Sequence, residues 1–117
     1  MEAMNMAVRA AALVLAVSAS SAAFAEAVLD TSTPAKWRAS LTQMAVECDG
    51  EPRGPCFSRL LTANGKIEQS YFGRFMKGVS GSSPAHKTRY EEMVAVRNKE
   101  LDGITRAELL RRADALE

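Results

Sequence analysis

The sequence predicts an all-α fold, a small bundle of four to five short helices held by one disulfide, formed after a signal peptide is cleaved. Three observations predict it. Apolar residues recur every three to four positions along most of the chain and nowhere alternate convincingly at period two, which is helix rather than strand patterning. Two Thr/Ser-Pro pairs, Thr33-Pro34 and Ser83-Pro84, and one Thr-x-x-Glu box, Thr105 to Glu108, mark helix starts. The 117 residues are too few for two ordinary domains, and 47% hydrophobic with 25% charged is the composition of a folded globular chain.

Residues 1–25 differ from the rest. Ala10 to Val17 (AAALVLAV) is an unbroken apolar run, preceded by Arg9 and followed by small residues ending in Ala23-Phe24-Ala25. This is the order of a signal peptide: charged start, short apolar core, A-x-A cleavage site. The core is about half the roughly 20 residues that a membrane span needs, and Ser18, Ser20 and Ser21 keep it from extending further. The domain is then residues 26–117, the location periplasmic or secreted, and no transmembrane segment remains after cleavage. A retained anchor is the alternative.

Such a small domain buries a modest share of its surface, so a covalent staple matters. Cys48 and Cys56, the only two cysteines, both lie in the mature part. In an oxidising compartment they are expected to pair within the chain, with intermolecular pairing as the alternative. The closed loop would contribute about 2.5 kcal/mol on the chain-entropy account. Zinc fits these thiols poorly, since a structural site wants four ligands and the chain offers two Cys and one His. No metal site or cofactor is expected.

The first helix should start at Thr33-Pro34, with Trp37, Leu41, Met44, Ala45 and Cys48 on its inner stripe. Asp49 to Pro55 (DGEPRGP), with two prolines and two glycines, is a connector. Cys56 to Ala63 reads as a short helix carrying Phe57, Leu60 and Leu61, ended at Asn64-Gly65, two residue types that tolerate left-handed backbone. Ile67, Tyr71, Phe72, Phe75, Met76 and Val79 then make a broad apolar face and the expected centre of the core, with Gly73 and Gly78 marking close packing or an early end. Ser80 to Ser83 is a flexible break. A longer helix from Ser83-Pro84 should point Tyr90, Met93, Val94 and Leu101 inward, with Arg97 on the same stripe as a snorkelling edge residue. Gly103 closes it. The last helix starts from the capping box at Thr105, with Ile104 stapled to Leu109, and with Leu110, Ala113 and Leu116 on its apolar side.

Little in the chain points to chemistry. Fifteen Lys and Arg against fourteen Asp and Glu leave +1, no field to attract nucleic acid. His86, the only histidine, has no nucleophile fixed beside it by any motif and is expected to face solvent. Gly81 to Thr88 weakly resembles a phosphate-binding loop, but His86 stands where the second glycine belongs and Pro84 removes one cradle N–H. Asn98 to Glu108 (NKELDGITRAE) resembles an EF-hand calcium loop in part. With Gly103 as its sixth position, Asn98, Glu100 and Asp102 fill the first, third and fifth, but Leu109 stands at the twelfth, where the bidentate acid belongs. Ile104 to Arg112 has the outline of a DNA-binding helix-turn-helix, against which stand the export signal and the mixed charge.

The expectation is therefore an exported interaction or envelope-associated binding module without catalytic residues, whose partner is another exported or envelope protein. Tyr71, Phe72, Phe75 and Met76 are the candidate hydrophobic binding face. The rival readings are a small secreted enzyme with dispersed active-site residues and a degenerate EF-hand-like helix pair.

Overall fold

Four helices form in the computed structural model, which describes residues 25–116: α1 (Pro34–Asp49), α2 (Pro55–Met76), α3 (Ala85–Leu101) and α4 (Arg106–Asp114). All of the expected signal peptide but Ala25 lies outside the described residues. Among the described residues no strand forms, and no helix is long and apolar enough to cross a membrane. The central element is α2, against which each of the other three helices packs.

Thr33 is extended and its Oγ1 accepts from the Lys36 amide at 3.1 Å, with Pro34 at the first helical position, as the Thr-Pro pair requires. Trp37, Leu41, Met44 and Ala45 are buried on one side of α1; Cys48, the last of that stripe, is exposed. Gly50 stops the helix at φ +81, its N–H returning to the Val46 carbonyl at 2.8 Å. Cys48 and Cys56 are bonded across the connector, with Cα atoms 6.2 Å apart. Asp49 caps the other side of the same connector, Oδ2 accepting from the Cys56 amide. Gly54 is buried against it: a Cβ there would sit 2.5 Å from Asp49 Oδ2. The connector is thus closed twice, by a covalent bond and by a carboxylate lying where any other residue's side chain would go.

Asn64-Gly65 does not end a helix. The two pieces expected at 56–63 and 67–79 are one helix, α2, so the bundle has four members among the described residues. Asn64 is 8% exposed, its Oδ1 accepting from Trp37 Nε1 at 2.9 Å and its Nδ2 donating to Glu68 Oε2 at 2.6 Å. An asparagine whose side chain is so engaged no longer competes for its own backbone, which removes the reason it disfavours helix. Gly65 and Gly73 mark no close packing, for a Cβ at either would meet nothing within 4 Å. Gly78, at φ +78, lies just past the end of α2.

α3 begins one residue after Pro84, with Ser83 Oγ accepting from the Ala85 amide at 3.1 Å. α3 packs chiefly on α2 and its buried stripe is narrow: Met93 and Leu101 are buried and Val94 half-buried. Tyr90, expected inward, is 44% exposed. In α4 Thr105 Oγ1 accepts from the Glu108 amide at 3.2 Å, and Ile104 and Leu109 are both buried. Leu116 lies beyond the end of α4 and is exposed rather than inward.

The residues before α1 form a strap across the α3–α4 turn. Leu29, 1% exposed, donates to the Ile104 carbonyl at 2.9 Å and accepts from the Gly103 amide at 2.8 Å, beside a single antiparallel bridge between Val28 and Thr105. Thr31 is buried. Its amide and hydroxyl both donate to Asp102 Oδ1 at 3.1 Å, and the same hydroxyl lies 3.0 Å from the Asn98 carbonyl. The strap thereby satisfies the backbone of the turn and closes the core with Leu29.

Candidate functional site

The strap, α1, α2 and α3 leave a cleft of about 530 Å³ between them. Its wall is a closed circuit of four side chains. Trp37 Nε1 donates to Asn64, Asn64 donates to Glu68, Glu68 Oε1 pairs with Arg97 Nη1 at 3.1 Å, and the Arg97 guanidinium returns to lie 4.7 Å above the Trp37 ring. Indole N–H can only donate, so it fixes Asn64 Oδ1 toward itself and Nδ2 toward the carboxylate. Arg97 is held further by Asn98, whose Oδ1 accepts from its Nε at 3.1 Å.

Arg97 is therefore not an edge residue extended to water. Its side chain is 16% exposed, held by an aromatic face, a carboxylate and an amide. Cation–π contact of this kind is worth about 1 kcal/mol when partly desolvated. The circuit is a rigid polar wall with its charges already matched, suited to presenting fixed hydrogen-bonding groups rather than to moving protons. Tyr90 and Arg38 line the cleft and are exposed, Val94 is half-buried among them, and Thr31, Ser32 and Thr33 form the opposite rim. At this rim Asp30 Oδ1 accepts from the Ser32 hydroxyl and amide, and these hydrogen bonds hold the Asp30 carboxyl below the usual range.

The four residues expected to form a hydrophobic face all lie in the last two turns of α2 and differ in exposure. Tyr71 and Met76 are buried in the core, Phe75 is half-buried, and Phe72 is 52% exposed. The Arg74 guanidinium covers the Tyr71 and Phe75 rings at 4.9 and 5.2 Å. Tyr71 donates to Glu100 Oε1 at 2.6 Å; burial first, and then this hydrogen bond, raise its phenol above the ordinary value. The cleft itself is not legible in the sequence, though Arg97 on an apolar stripe is its one visible trace.

The other candidates are occupied locally. His86 is half-buried, its ring parallel to that of Tyr90 with centroids 6.2 Å apart. The oxygens expected at alternate positions of a calcium loop go separate ways: Asp102 to Thr31, Glu100 to Tyr71, Asn98 to Arg97. Glu108 forks to Arg111 and Arg112, both at 2.7 Å, and these bonds lower its carboxyl to about 2. Cys48, Asp49 and Cys56 bring two sulfurs and a carboxylate within 4.8 Å of one another, but bonded sulfurs offer a metal no thiolate.

No protein-family model, curated protein or solved structure matches this chain. The Trp37–Asn64–Glu68–Arg97 cleft is thus characterised by its own geometry alone.

Proposed function

We propose that the chain is an exported binding module without catalytic activity, whose cleft takes a segment of another exported or envelope protein. The observation that carries this reading is the closed Trp37–Asn64–Glu68–Arg97 circuit standing beside an exposed Tyr90. A cleft of about 530 Å³ with an aromatic ring at its mouth and a preorganised polar wall has the make-up of a recognition site. Tyr and Arg are the residue types that dominate binding energy at interfaces, and a wall already held in place loses little freedom when a partner docks. The disulfide and the leader-like residues 1–25 support export.

The test is a photocrosslinking residue placed at position 90 in the native envelope, with position 51, in the connector and outside the cleft, as control. A discrete adduct from 90, absent from 51 and lost when Val94→Glu fills the cleft with charge, is the expected result. Equal or absent crosslinking from the two positions contradicts the proposal.

A further inference from the structure

The two ends of the disulfide stand in different surroundings. Cys48 is the penultimate residue of α1 and is exposed, whereas Cys56 is the second residue of α2 and only 2% exposed. Thiol–disulfide exchange proceeds by thiolate attack on an accessible sulfur, and its rate rises with the stability of the departing thiolate. Access favours attack at Cys48. The peptide dipoles act in the same direction, because a thiolate in the first turn of a helix meets their positive end and one in the last turn meets the negative end; the burial of Cys56 opposes them, so that access to Cys48 carries the polarity.

We propose that the Cys48–Cys56 clip is a thiol-exchange site of fixed polarity, at which the dithiol of an exported oxidoreductase attacks Cys48 and Cys56 leaves. In the first step the oxidoreductase thiolate forms a bond to Cys48 Sγ while the Cys48–Cys56 bond breaks. The bonding pair departs with Cys56 Sγ as a thiolate, which takes a proton from solvent. The second thiolate of the oxidoreductase then attacks its own sulfur in the mixed disulfide, and Cys48 leaves as a thiolate and is protonated in turn. The two cysteines gain two electrons and two protons, and the dithiol becomes a disulfide. Run in reverse, the same mixed disulfide on Cys48 is the intermediate through which the clip closes.

Asp49 restrains the exchange. Its carboxylate is anchored on the Cys56 amide and lies within 4.8 Å of both sulfurs. A thiolate leaving from Cys56 emerges beside this fixed negative charge, and an attacking thiolate approaches it. Neutralising Asp49 without removing the cap acceptor should therefore quicken exchange while leaving its direction unchanged.

The oxidised chain is exposed to glutathione, quenched with acid at early times, alkylated and mapped by peptide mass. The glutathione adduct is expected on Cys48 and the alkyl group on Cys56, in a ratio of about ten to one or more. Asp49→Asn should raise the rate about three- to tenfold with the same ratio, its helix content checked by circular dichroism. An adduct mainly on Cys56, or shared equally, overturns the polarity. An unchanged rate in Asp49→Asn overturns the restraint. No adduct, under conditions where the denatured chain reacts, overturns the site itself.

Discussion

Alanine at two adjacent positions of α2, Asn64 and Gly65, should act in opposite directions. In Asn64→Ala the indole N–H of Trp37 loses its acceptor while the ring stays 8% exposed, and Glu68 loses one donor. A buried donor left without a partner costs about 1–3 kcal/mol. The better helix propensity of alanine returns about 0.6 kcal/mol. The net loss is about 1–2 kcal/mol, a fall in melting temperature of roughly 5–15 °C for a domain of this size. Gly65→Ala touches nothing, since the new Cβ has no atom within 4 Å, and it should stabilise by about 1 kcal/mol. Thermal and urea melts followed by helix circular dichroism measure both. Trp37, the only tryptophan, reports the loss of its hydrogen bond through its fluorescence. If Gly65→Ala destabilises, α2 turns at this point instead of running through it. If Asn64→Ala is neutral, the circuit around Trp37 is not what holds the two helices in place.

The same geometry sets three further outcomes. Gly54→Ala should drive Asp49 off the Cys56 amide and cost about 1–2 kcal/mol in urea denaturation, with little added by Asp49→Ala in the same chain because the two share one contact. Leu29→Ala should cost about 2–5 kcal/mol and raise amide exchange at Gly103, whose N–H it secures through the strap. The Glu108 carboxyl lies lower in the folded chain, about 2, than its ordinary 4.5, so its contribution is full above 4.5 and lost as pH falls through 2. Glu108→Gln should accordingly flatten the decline of melting temperature between pH 5 and about 2.

The features legible in the sequence are local, and those hidden from it depend on distant partners. The Thr33-Pro34 start, the buried stripe of α1, the Cys48–Cys56 clip and the Thr105 cap each involve groups close together along the chain. Asn64 looks like a helix end because its reason for being helical lies in Trp37, 27 positions away. The strap bears no periodicity at all; Thr31 and Asp102 are 71 residues apart, and nothing in either residue's neighbourhood announces the other. The acidic loop that resembles an EF-hand contributes its oxygens to the strap, a tyrosine and an arginine instead. The cleft is hidden for the same reason, being assembled from four segments.

The proposed function rests on export and oxidation, and intact mass of the native protein from separated envelope and cytoplasmic fractions tests both together. The prediction is a chain beginning at Glu26, found in the envelope fraction and about 2 Da lighter than its reduced form, as one disulfide requires. An uncleaved chain in the cytoplasm with two alkylatable thiols would contradict it.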